Sequence, residues 1–136
     1  MPIEAQTIIP SVVWIGRIIS GLAIAFLLLD AAMKLVPLSP VIAAMQGLGF
    51  AGGDSLARGL GVLLLGCTIL YAVPRTAPLG ALLLTGYLGG AMAVQLRAGN
   101  PWLSHVLFGG YIGLALWVGL LLRSSQLRTV LLDLAA

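Results

Sequence analysis

The stretch SVVWIGRIISGLAIAFLLLDAAMKL, residues 11–35, governs how the rest of the chain is read. Only Arg17, Asp30 and Lys34 interrupt it. At 1.5 Å per residue, a helix of about 25 residues crosses the roughly 30 Å hydrocarbon core of a bilayer. No basic region precedes the stretch, and Lys34-Leu35-Val36-Pro37 offers no small-residue cleavage site, so it reads as a retained span and not a signal peptide.

Working outward, proline, glycine and charge mark off three more apolar segments, 55–73, 77–96 and 101–122, each of spanning length. Their borders carry helix-end chemistry. Asp54 or Ser55 is placed to cap the second helix, Thr76 with Pro78 to open the third, and Asn100-Pro101 to open the fourth, while Pro37 ends the first. Between the first and second spans, Ser39-Pro40 opens a short run closed by Gly47 and Gly49. About nine helical residues reach only about 13 Å, so this piece lies in the interface, dips in partway, or covers the bundle. The expected fold is all-α: one integral membrane four-helix bundle, up-down-up-down, filling residues 1–136, with a short interfacial or re-entrant helix between helices one and two.

Composition agrees. The chain is 60% hydrophobic and 8% charged, with seven basic and four acidic residues, and its mean hydropathy is +1.12. A soluble domain carries roughly 25% charged residues. The net charge of +3 is spread singly along the chain, without the basic patch a nucleic-acid partner needs. The lone Cys67 excludes an internal disulfide, dithiol chemistry and a multi-cysteine metal site. With an even number of spans both termini share one side. Arg17, Arg75, Arg123 and Arg128 fall there, against Lys34, Arg58 and Arg97 opposite, and this margin of one favours cytoplasmic termini.

Charges within or beside a membrane are expensive and tend to be paired or functional. Asp30 and Lys34 stand four apart on one helix face, acid first, the favourable order for an ion pair. The up-down path brings the end of helix one beside the starts of helices two and four and the end of helix three. Asp30, Lys34, Arg58, Gln95, Arg97 and His105 therefore gather at one membrane level, joined by Tyr87, which shares a face with Gln95 across Ala91. Arg97 lies about 200° around the helix from Gln95, so the two do not enter one pocket without a bend. A carboxylate, an ammonium, an amide, a phenol and an imidazole are what a small ligand with a polar head, such as a quinone, requires. Haem is disfavoured, because a lone histidine supplies one axial side.

Other features have plain readings. Gly86 with Gly90, Gly109 with Gly113, and Gly59, Gly61 and Gly66 are expected to let helix backbones approach. Arg17 is expected to extend toward headgroups, Trp14, Trp102 and Trp117 to form an aromatic belt, and Cys67 to pack inertly. Hydrolase, zinc-protease, phosphate-loop and dinucleotide motifs are absent from the sequence, and no Cys/His metal spacing occurs.

Several runs resemble a known family. Gly16-Arg17 with Ser20-Gly21, Asp30-Ala-Ala-Met-Lys34, Tyr71-Ala-Val-Pro74-Arg75-Thr76-Ala77, Thr85-Gly86-Tyr87-Leu88-Gly89-Gly90-Ala91 and Leu96-Arg97-Ala-Gly99 resemble, in order and over nearly the whole chain, the DoxX-like membrane proteins. The resemblance implies a small four-helix, multi-pass protein of the bacterial inner membrane. It also implies association with quinone-linked oxidoreduction, redox stress or the respiratory chain. Members often carry histidine before the Leu-Arg pair, where Gln95 stands here. The leading expectation is thus a ligand site at Asp30, Lys34, Arg58, Tyr87, Gln95, Arg97 and His105 in an accessory redox role. The partners expected are membrane lipid, a respiratory or redox enzyme subunit, or a second copy. The alternative is a non-catalytic anchor or assembly partner, and a small membrane enzyme or transporter with Asp30 as proton carrier comes third.

Overall fold

A computed structural model describes residues 10–36, 38–51 and 53–136. Helix α1 spans Pro10–Leu35, α2 Ser39–Gly47, α3 Gly53–Ala72 and α4 Ala77–Arg97. A π-helical turn, Trp102–Val106, then leads into α5, Phe108–Arg123, followed by α6, Ser125–Ala135. Four stretches are long and apolar enough to cross a membrane: Ser11–Leu35, Gly53–Ala72, Ala77–Arg97 and Trp102–Arg123. Only 22% to 33% of each is buried inside the protein. The remainder exposes Trp14, Ile18, Leu22, Leu29, Val62, Leu82, Leu103 and Leu114, a surface compatible with hydrocarbon and not with water.

The spans form a ring in which α1 packs on α3 and α5, α3 on α4, and α4 on α5. The four-helix membrane bundle read from the sequence is the observed fold, and the short helix after α1 is present. Its core is Leu27, Ala31, Leu64, Tyr71, Ala81, Leu84, Leu116 and Leu120. Lipid already solvates apolar side chains, so shape fit and hydrogen bonds hold the ring. A Cβ on Gly16 would meet Leu122 Cβ at 2.7 Å and the Arg123 nitrogen at 2.8 Å, and one on Gly119 would meet Ser20 Oγ at 2.5 Å. These contacts seat α1 on α5. Gly61 does the same for α3 against Ala31 and Leu35, and Gly109 for α5 against Leu88 and Met92.

Not every glycine packs. Cβ atoms on Gly59, Gly66, Gly86 and Gly90 would meet nothing within 4 Å, so the packing expected at those positions does not occur within the bundle. Spacing by four fits a helix contact and an open wall equally well.

Tyr71, fully buried near the end of α3, is the polar knot of the core. Its hydroxyl donates to the Leu116 carbonyl across 2.6 Å and lies 3.0 Å from Ser20 Oγ, so one side chain ties α3 to α5 and α1. Arg123 reaches back over the same ring, 4.8 Å from its centroid, and donates to the Tyr71 carbonyl at 3.0 Å. Beside it Gly80 lets α4 leave the turn, since a Cβ there would run into the Tyr71 backbone.

Thr76 and Pro78 open α4 as expected, with Thr76 at the N-cap and its carbonyl accepting from the Gly80 amide at 2.9 Å, while its hydroxyl donates to the Leu70 carbonyl at 2.7 Å. Two cap assignments differ from expectation. Helix α3 begins at Gly53, ahead of both proposed caps. The Asn100 amide turns back to Gln95 Oε1 and does not cap the fourth span. Pro37, expected to end α1, lies outside the described residues. Trp14 and Trp102 are exposed as an aromatic belt requires. Trp117 instead donates to Thr85 Oγ1 at 2.8 Å, a bond between α5 and α4. The terminal α6 is an element that hydropathy alone does not place.

Candidate functional site

One end of the ring holds a cavity of about 530 Å³. Asp30 and Lys34 border it from α1, Tyr87 and Gln95 from α4, and His105 from the π-helical turn. These five residues of the expected cluster are brought together. Phe26, Leu27, Met92, Phe108 and Ile112 continue the lining into the bundle as an apolar wall. Phe26 and Phe108 meet edge to face with centroids 5.5 Å apart, joining α1 to α5 at this wall.

The α1 face is fixed by helical spacing. Lys34 Nζ donates to Asp30 Oδ1 at 2.6 Å, and the side chains are 17% and 30% exposed respectively. Half-burial keeps this pair in place without removing it from reach of a ligand. On α4, Tyr87 and Gln95 share a face two turns apart as expected, with Ala91 between them and Gly86 and Gly90 as bare backbone in the lining.

The end of α4 is closed by a Schellman motif. Gly99, at φ 73°, takes the left-handed conformation that lets its amide bond the Leu96 carbonyl and the Asn100 amide bond the Gln95 carbonyl. The same turn carries the Asn100 side chain back to Gln95 Oε1, which holds the Gln95 amide by its oxygen and leaves its NH2 group to donate. Among the described residues the Tyr87 hydroxyl has no hydrogen-bond partner, and His105 Nδ1 is 2.7 Å from Ser104 Oγ.

Two expected members lie elsewhere. Ala57 and Gly61 are buried and occupy the inward face of α3, so Arg58, one residue past Ala57, is turned about 100° away and exposed. Arg97 is also exposed and outside the lining; its Nη2 donates to the Leu48 carbonyl at 2.9 Å. Arg97 therefore touches not the cavity but the loop that carries Leu48 to it.

That loop was the least legible part of the site. A second Schellman motif ends α2: the Gly49 amide bonds the Gln46 carbonyl at 2.9 Å and the Phe50 amide bonds the Met45 carbonyl at 3.0 Å. It turns Met45, Leu48 and Phe50 onto the cavity, where all three join the lining. Helix α2, which packs on α3, thus works as a cover over the polar end. Among the described residues no group of three or more His, Cys, Asp or Glu side chains could hold a metal ion.

Four apolar spanning helices in a closed ring, with a half-covered polar-ended cavity, define a small multi-pass membrane protein. Residues 18–119 match the DoxX-like family, and the chain belongs to it. No curated protein and no solved structure matches the chain.

Proposed function

We propose that this protein binds, in a bacterial inner membrane, a small apolar ligand with a polar head, a quinone being the leading candidate, and serves an accessory redox role. The observation that carries the reading is the division of the cavity into an apolar wall and a polar end. Phe26, Leu27, Phe108 and Ile112 suit a flat or chain-like apolar body, while Asp30, Lys34, Tyr87, Gln95 and His105 stand together at the end. The Lys34 ammonium, the Tyr87 hydroxyl and the Gln95 amide are donors suited to a carbonyl oxygen, and the Asp30 carboxylate accepts from a hydroxyl. A site offering both kinds of group can hold an oxidised and a reduced head.

A quinone, when bound, supplies reversible electron and proton transfer. The residues of this chain would orient its head and, through Met45, Leu48 and Phe50, limit water. The Asp30 carboxylate would accept a hydrogen bond from a reduced head, its position fixed by the ion pair with Lys34. The test is saturable binding of a short-chain ubiquinone to the purified full-length protein. Asp30→Asn and Gln95→Ala should each weaken binding about tenfold, on the order of one hydrogen bond. Absence of saturable binding, or binding indifferent to both substitutions, refutes the reading.

A second reading is favoured by one observation. Gly86, Gly89 and Gly90 are exposed on α4, and a Cβ added at any of them would meet nothing within 4 Å. Small residues at such a face allow another membrane helix to dock closely. In that role the chain anchors a respiratory or redox enzyme subunit, or a second copy of itself. Gly89, which lies outside the cavity lining, separates the two readings: Gly89→Leu should abolish co-purification of a partner while leaving quinone binding intact.

A further inference from the structure

At the opposite end of the bundle lies a second hollow, of about 340 Å³, bordered by Arg17, Ala77, Pro78, Arg123, Ser125 and Gln126. Its chemistry is the reverse of the first cavity: two guanidinium groups and no carboxylate face it.

Both arginines are steered by aromatic rings and neither is neutralised among the described residues. Arg17 stands 5.4 Å from the centre of the Trp14 ring and makes no hydrogen bond to a described residue. Arg123 is held over Tyr71 by its bond to the Tyr71 carbonyl, and its buried Nε has no acceptor among the described residues. The backbone adds donors. Ser124, at φ −115° and ψ 102°, breaks the helix between α5 and α6. Arg128 Nη1 then donates to the carbonyls of Leu121 at 2.9 Å and Leu122 at 3.1 Å. Those are the acceptors that the Ser125 and Gln126 amides would take in a continuous helix. Ser124 Oγ accepts from the Leu127 amide at 3.3 Å, so the third amide of α6 is satisfied and the first two remain at the rim of the hollow.

We propose that this hollow binds a phosphate group, with Arg17 and Arg123 as the charged contacts and the start of α6 as a supporting donor. A tetrahedral oxyanion matches the forked guanidinium geometry and the positive end of a helix. The phosphate comes from an anionic phospholipid headgroup or from free phosphate. The exposed Val130, Leu131, Leu132 and Leu134 of α6 require an apolar surface beside the hollow, which places it at headgroup level. The site is separate from the quinone reading, being at the other end of the bundle, and neither depends on the other.

The test places the full-length protein in phosphatidylcholine nanodiscs doped with phosphatidylglycerol and reads retained lipid by native mass spectrometry. Phosphatidylglycerol should be enriched over phosphatidylcholine, and Arg17→Gln should reduce that enrichment about tenfold. Arg75→Gln, at an exposed arginine of the same end but outside the hollow, should leave it unchanged. Because Arg123→Gln also removes the Tyr71 contact, Arg17→Gln carries the comparison. Inorganic phosphate is titrated separately into the detergent-solubilised protein; a saturable rise in thermal stability that Arg17→Gln abolishes assigns the site to free phosphate. No enrichment together with no phosphate response, or equal loss in Arg17→Gln and Arg75→Gln, overturns the proposal.

Discussion

The Tyr71 hydroxyl donates to the Leu116 carbonyl across 2.6 Å in the fully buried core, and no other side chain joins α3 to both α1 and α5 through hydrogen bonds among the described residues. Hydrogen bonds between membrane helices contribute about 0.6 kcal/mol on average and no more than about 1.7 kcal/mol. Tyr71→Phe should therefore lower stability by about 1 kcal/mol without unfolding the bundle, measured by thermal unfolding in mild detergent. A double-mutant cycle with Ser20→Ala should show coupling, since the two hydroxyls are 3.0 Å apart.

Glycines in this chain divide by what surrounds them. At Gly119 an added methyl would meet Ser20 Oγ at 2.5 Å and the Ser20 nitrogen at 3.0 Å, whereas at Gly86 it meets nothing within 4 Å. Gly119→Ala should destabilise by about 1–3 kcal/mol, the usual range for overpacking. Gly86→Ala should be neutral or slightly stabilising, because alanine is the better helix former. The same unfolding assay compares them.

Ala91 lines the cavity between Tyr87 and Gln95. Ala91→Leu should fill part of that space and weaken quinone binding at least about tenfold, while the bundle keeps its stability within about 1 kcal/mol. A stability loss as large as the binding loss would mean that α4 itself had moved.

Arg97 holds the Leu48 carbonyl at 2.9 Å, and its Nη2 would lie 2.8 Å from a Cβ at Gly49. Arg97→Gln should loosen the loop that ends α2. Faster amide exchange at Gly49 and Phe50, with unchanged exchange in α3 and α4, is the expected signature.

The spans were legible because length and hydropathy suffice to define a membrane helix. Much of the site was legible too: Asp30 with Lys34 and Tyr87 with Gln95 follow from helical spacing, and the up-down path sets them at one level. Arg58 was misplaced because level along a membrane says nothing about azimuth; the buried Ala57 and Gly61 decide that. Gly86 and Gly90 show the same limit from the other side. The Tyr71 knot gave no periodic signal, being a contact between residues 45 and 51 positions apart. Helix α6 was missed: hydropathy finds only spans, and the signal that could have placed it is Ser124 ahead of Leu127, Val130, Leu131 and Leu134 at helical spacing. The cover formed by Met45, Leu48 and Phe50 depends on a turn whose direction only the folded chain defines.

Gly86 and Gly90 are exposed and also border the cavity, so in a bilayer part of its wall would be bare backbone facing the acyl chains. A ligand reaching it there arrives by two-dimensional diffusion within the leaflet. Occupancy then follows the mole fraction of ligand among lipids and not its aqueous concentration, so diluting the protein with extra lipid would empty the site even when the total ligand per litre is held constant.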